Sequence, residues 1–157
     1  MKKHILFLSV LVLAIGFTAF KVAQKAKDIC NPVEMKKKTK SSMDPFKYDS
    51  AKLTRLNWTK KPMKVSTEIP LSLFGKYKLI FNTEGMPKKI GINVYSKDRD
   101  AKKRDLLFSN KDSLESNTTL IYNPTKHTRK VFVDYDVPPD TLGLKIKGCV
   151  YMVLGYD

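Results

Sequence analysis

The sequence predicts an all-β domain, an antiparallel β-sandwich of about seven or eight strands, and three observations carry that expectation. Beyond residue 60, apolar residues recur at every second position through most runs, the period of a strand with one face buried. Turn-forming pairs punctuate those runs: Phe74-Gly75, Glu84-Gly85-Met86-Pro87, Asn123-Pro124, Pro138-Pro139 and Lys147-Gly148. No long stretch there has a helical period, and Asp98 to Arg104 offers a single turn at most.

The chain opens with Lys2, Lys3 and His4, then a largely apolar run from Ile5 to Phe20. A basic start followed by a short apolar run is the pattern of an export signal. Two outcomes stay open for this hydrophobic helix. Ala14-Ile15-Gly16 supplies small residues for signal cleavage. Alternatively, the run makes a marginal membrane anchor, spanning if Lys3 and Lys21 reach the two interfaces. Either outcome exports the remainder, to the periplasm or to the periplasmic side of the bacterial inner membrane.

Residues 21–44 read as a basic linker. Lys21 to Asp28 could extend a helix, which Asn31-Pro32 would stop. From Lys21 to Pro62 twelve basic residues stand against four acidic ones. Within that excess, Lys36, Lys37, Lys38 and Lys40 either keep a solvated linker extended by self-repulsion or contact an anionic surface, at about 1 kcal/mol per close lysine.

The domain is expected over residues 45–157. Its strands begin with Val65, Thr67 and Ile69 alternating against Lys64, Ser66 and Glu68. Tyr77, Leu79 and Phe81 follow, then Ile90, Ile92 and Val94, then Leu106-Leu107-Phe108 and Leu120-Ile121-Tyr122. Val131, Val133 and Tyr135 come next. The last run, Cys149 to Leu154, is apolar on both faces and therefore reads as a central strand.

A formal charge of +15 invites a nucleic-acid reading. Two features oppose it. Only Arg55, Arg99, Arg104 and Arg129 are arginine; lysine lacks the planar fork that grips phosphates and bases. Lysines also alternate along expected strands, at Lys64, Lys76, Lys78 and Lys130, as a wet sheet face requires. No nucleic-acid partner is expected. The two cysteines, Cys30 and Cys149, form an even pair suited to a disulfide in an oxidising compartment, or else remain two buried thiols.

Catalytic patterns are sparse. His127 is the one histidine beyond the leader, so no zinc site assembles from sequence; a Ser-His-Asp triad would have to use it, and it reads instead as an exposed loop residue. There is no strained Gly-x-Ser-x-Gly elbow and no Gly-rich phosphate cradle, and no cofactor is expected. Asp98-Arg-Asp100 and Asp134-Tyr-Asp136 each place two acids on one side of an extended segment. Calcium needs six to eight oxygens, and lysines crowd the first pair while the second lacks further acids. The tyrosines and Trp58 offer a carbohydrate- or peptide-stacking platform, or more simply the tyrosines fill the core with their hydroxyls at its rim.

Ser50, Ser113 and Thr141 each follow an aspartate and precede an aliphatic residue. Those tripeptides resemble the O-glycosylation site of exported Bacteroidetes-type proteins; ordinary turn residues read the same way.

Pro45-Phe-Lys-Tyr-Asp49, Ile69-Pro-Leu-Ser-Leu-Phe74, Lys78 to Gly85, Val133 to Pro138 and Gly148 to Tyr156 resemble small exported β-sandwich proteins of Bacteroidetes-type bacteria, which bring no known activity. The alternation also resembles the jelly-roll domains of secreted peptidases, an architectural likeness that does not fix function. The expectation is a non-enzymatic envelope protein acting by protein or glycan contacts, held at the inner membrane if residues 1–20 stay uncleaved. The alternative is an enzyme on envelope polymers that uses Asp134 and Asp136.

Overall fold

The computed structural model describes residues 29–72, 75–111, 118–125, 128–143 and 147–157. Among them lie a helix, α1 (Pro32–Ser41), and eight strands. The strands are β1 (Lys47–Asn57), β2 (Met63–Pro70), β3 (Tyr77–Asn82), β4 (Gly91–Tyr95), β5 (Leu106–Ser109), β6 (Thr119–Tyr122), β7 (Lys130–Val137) and β8 (Lys147–Tyr156). The leader, residues 1–20, lies outside the described residues. Among those described, no helix is long and apolar enough to cross a membrane.

Two four-stranded sheets form, ordered β1-β8-β3-β6 and β2-β7-β4-β5, with every pairing antiparallel. The pairs nest: β4 with β5, β3 with β6, β2 with β7, and β1 with β8. The chain therefore behaves as one long hairpin, bent between β4 and β5, whose successive rungs alternate between two sheets. That winding is a jelly roll, and the predicted sandwich is what forms.

Strand β7 shows how period two becomes two faces. Val131, Val133, Tyr135 and Val137 enter the core between the sheets, while Lys130, Phe132, Asp134 and Asp136 take the outer face. Strand β8 carries no charged side chain from Gly148 to Gly155 because both of its sides are covered there. Val150, Met152 and Leu154 face the inter-sheet core; Cys149, Tyr151 and Val153 face a second, smaller core shared with Cys30, Met35, Met43 and Ile80. Truncating Leu154 to alanine there would cost about 2–5 kcal/mol.

The lid of that second core corrects the linker reading. Residues from Cys30 onward belong to the packed domain, and Pro32–Ser41 is helical. Asn31-Pro32 starts this helix; Lys21 to Asp28, the stretch expected to extend a helix up to that stop, lies outside the described residues. The Asn31 side chain accepts from the Glu34 amide at 3.3 Å, and proline is pre-organised for a first turn. Glu34 near the start and Lys38 and Lys40 near the end complement the helix dipole. Met35 and Thr39 pack down onto the sheet, where the Thr39 hydroxyl returns a 2.7 Å bond to the Met35 carbonyl.

Cys30 and Cys149 form a disulfide, with Cα atoms 5.7 Å apart, inside the ordinary range for such bonds. It ties the start of α1 to the start of β8. The expectation for tyrosine needs a correction at Tyr135, which is completely buried rather than reaching the rim. At Tyr77 the rim reading holds better, since its hydroxyl accepts from the Ser72 amide at 2.8 Å.

Candidate functional site

Helix α1 covers the outer face of one sheet and leaves the other outer face, on β2-β7-β4-β5, to polar residues. Pairing register sets them in rows. Lys64 lies opposite Asp136 and Ser66 opposite Asp134. Across β7, Asp136 lies opposite Gly91 and Asp134 opposite Asn93, and Asn93 faces Ser109 on β5.

A hydrogen-bonded chain steps obliquely across four strands, from the Lys64–Asp136 pair to Asn93 and Ser109 in the neighbouring row. Lys64 Nζ stands 3.1 Å from Asp136 Oδ1. The Asn93 amide group donates to Asp136 Oδ2 at 2.7 Å, and the Ser109 hydroxyl donates to Asn93 Oδ1 at 2.7 Å. Ser109 Oγ in turn accepts from the Lys111 amide at 3.2 Å. Each side chain in the chain has its orientation set by the next, which is the pre-organisation a binding surface needs.

A cleft of about 830 Å³ opens over these side chains, at the end of the sheet where β2 begins and β7 ends. Lys64, Lys89 and Lys111 line it together with Asn93, Ser109 and Asp136, against apolar walls that include Met63, Ile90 and Val137. Gly91 is the floor. A Cβ there would lie 3.0 Å from Asp136 Cβ, so any larger residue raises the floor into the carboxylate. One wall is Asn110, whose side chain accepts from the Ile92 amide at 2.7 Å and donates to the Ile90 carbonyl at 3.0 Å. It substitutes for a strand pairing just past the end of β5.

The surroundings of Asp134 are tighter and largely closed. Asp134 is 1% exposed; its carboxylate takes the Ser66 hydroxyl at 2.7 Å on one oxygen and Arg104 Nη2 at 2.6 Å on the other. The Arg104 guanidinium carbon sits 3.4 Å over the Tyr95 ring, a cation–π stack that fixes its plane. Asp134 and Asp136 do share one side of β7, as their spacing predicts, yet they serve different rows. The partner of Asp134 comes from a loop thirty positions away in sequence, beyond the reach of a local pattern.

The other candidates fall elsewhere. Asp98 caps its own turn, accepting from the Asp100 amide at 3.3 Å. Among the described residues no three His, Cys, Asp or Glu side chains gather where a metal could sit. Ser50 lies within β1, an edge strand of its sheet, beside a register shift between Tyr48 and Ser50. Thr141 is exposed in the turn after Asp140, which closes through a 3.3 Å bond from the Gly143 amide to the Asp140 carbonyl. Ser113 and His127 lie outside the described residues. Of the four lysines on α1, Lys38 pairs with Glu84 at 3.0 Å, while Lys36, Lys37 and Lys40 share the opposite, outward side.

Compared with protein-family models, curated proteins and solved structures, the chain matches none.

Proposed function

We propose that the chain is an exported, non-catalytic jelly-roll module of the cell envelope that holds a glycan in the cleft on β2, β7, β4 and β5. The hydrogen-bonded chain Lys64–Asp136–Asn93–Ser109 beneath an open, glycine-floored cleft carries this reading. It presents charged and neutral donors and acceptors at fixed spacing, as recognition of a hydroxyl-rich ligand requires. The disulfide between Cys30 and Cys149 accords with an oxidising compartment. Both carboxylates are engaged on both oxygens, Asp134 by Ser66 and Arg104, and Asp136 by Lys64 and Asn93. That favours a structural and positioning role over general acid–base work.

The test is titration of the full chain with soluble envelope oligosaccharides, followed by amide chemical shifts. Saturable changes confined to the β2, β4, β5 and β7 residues of the cleft are expected. Gly91→Leu should abolish them while the circular dichroism stays that of the parent. Shifts that map elsewhere, or that survive Gly91→Leu, would overturn the assignment. Release of shortened oligosaccharide would restore the enzyme alternative.

A further inference from the structure

We propose that the outward face of α1, together with the start of β1, docks on an anionic phospholipid bilayer. This inference stands apart from the glycan cleft, which lies on the other sheet.

At 100° per residue, Val33, Lys37 and Lys40 fall on the side of the helix opposite buried Met35 and Thr39, and Lys36 lies on the adjoining flank. The helix's only acid, Glu34, borders that side one turn before Lys37 and leaves it a net positive charge. On the same surface Val33 is 77% exposed and Tyr48, adjoining on β1, is 52% exposed. The Lys36 ammonium stands 6.0 Å from the centre of the Tyr48 ring. Lysines surrounding exposed apolar and aromatic side chains are what a protein surface seated among headgroups presents.

Between Lys36 and Lys40 the surface dips into a hollow of about 370 Å³ floored by Met43, Phe46 and Val153. Asp44 is the carboxylate in its lining. Two ammonium groups over an apolar floor match the phosphate and glycerol neck of a lipid better than they match a nucleic acid, which offers no apolar surface at its phosphates. The face is also rigidly presented, because the Cys30–Cys149 disulfide fixes the start of α1 to β8.

Chain connectivity points the same way. Ile29, at the start of the described residues, is nine positions from Phe20, the end of the apolar run. Even fully extended, that stretch spans at most about 30 Å. Lys21, Lys25 and Lys27 lie within it. The basic face of α1 is thus held near any bilayer the apolar run touches.

The experiment is sedimentation of the full chain with phosphatidylcholine vesicles and with vesicles also containing phosphatidylglycerol. The ratio of the two partition coefficients is read, because the apolar run can bind either vesicle. The anionic vesicles should be favoured, less so as salt rises. Lys36→Gln/Lys37→Gln/Lys40→Gln should lower the ratio on the order of a hundredfold, about fivefold per lysine. Lys38→Gln, whose parent residue faces Glu84, should leave it nearly unchanged. In a Tyr48→Trp chain, emission should shift to the blue on anionic vesicles only.

An unchanged ratio in the α1 triple variant overturns the proposal. So does a ratio that collapses only with Lys21→Gln/Lys25→Gln/Lys27→Gln. Competition by free glycerol phosphate as effective as that by vesicles would mean a small-anion site and no bilayer contact. Equal capture by a DNA duplex through the same three lysines would mean indiscriminate polyanion binding, and overturns it too.

Discussion

Gly85 and Cys149 cross at contact distance where the connection from β3 to β4 passes over the start of β8. The Cys149 amide donates to the Gly85 carbonyl at 2.9 Å. A Cβ on Gly85 would stand 2.7 Å from the Cys149 sulfur and 2.8 Å from its carbonyl oxygen. Neither a backbone carbonyl nor a disulfide-bonded sulfur can swing aside. On the facing residue, a Cβ at Gly148 would meet the Gly85 carbonyl at 2.7 Å. Two glycines therefore let loop, strand and disulfide share one crossing. Gly85→Ala is expected to lower stability by about 3 kcal/mol through overpacking, read as an earlier urea midpoint at unchanged slope. An unmoved midpoint would mean the crossing has slack.

Breaking the disulfide should act unevenly. Its cysteines are 119 positions apart, so on the chain-entropy account Cys30→Ser/Cys149→Ser loses up to about 5 kcal/mol. The structural effect should concentrate on α1, which otherwise rests on β3 and β8 through few side chains. Hydrogen exchange is the measurement. Amides of Met35 to Ser41 should speed up far more in the double variant than those of β7, which is paired on both sides. Uniform acceleration would show that α1 is not the segment the bond secures.

How far the sequence carried the reading depends on the face each residue serves. Val131, Val133 and Tyr135 alternate with polar neighbours because one side of β7 is buried, so their strand is visible in the sequence. Strand β8 was legible as central from its unbroken apolarity. Strand β1 was not, because it is an edge: on the face where Leu56 enters the core, Lys52 and Ser50 are exposed, and apolar alternation is diluted. Lys52 reaches the Thr67 hydroxyl on β2, a contact that only the rolled sheets create. Helix α1 was not legible: its Asn31-Pro32 cap reads in sequence as a stop, and its buried stripe is narrow, essentially Met35 and Thr39. The cleft was invisible for another reason. Lys64, Asn93, Ser109 and Asp136 come from four strands, and only the nesting of the jelly roll makes them neighbours.

Arg104 and Asp134 give a sharper energetic test. Asp134 is 1% and Arg104 16% exposed at the side chain. Arg104→Ala strands a buried carboxylate beside Ser66 and should cost about 3–5 kcal/mol. Asp134→Asn keeps the Ser66 contact and leaves Arg104 its Tyr95 stack, so it should cost less. The double variant Arg104→Ala/Asp134→Asn should recover part of the loss from Arg104→Ala. Thermal unfolding of the three chains checks the order. Additive losses would show that the two residues do not act as a pair.

Tyr135 makes stability fall at alkaline pH. Burial between the sheets pushes its pKa up to about 12. The nearby Thr54 hydroxyl, which makes no hydrogen bond of standard geometry to it, offsets this only in part. An unfolded tyrosine ionises near pH 10. From about pH 10 to 12 the unfolded chain therefore gives up a proton that the folded chain retains. The unfolded state then binds fewer protons, and the slope of stability with pH is negative. The contribution is complete below pH 10 and lost as pH rises to about 12, amounting to about 3 kcal/mol. Tyr122 and Tyr151 are shifted in the same direction by burial, so the informative quantity is the difference from Tyr135→Phe. That variant removes a hydroxyl lacking a well-placed partner and should match the parent within about 1 kcal/mol at pH 7. Its urea midpoint should then decline less steeply than the parent's above pH 10. Identical alkaline slopes would move the effect to the other tyrosines and to the lysines.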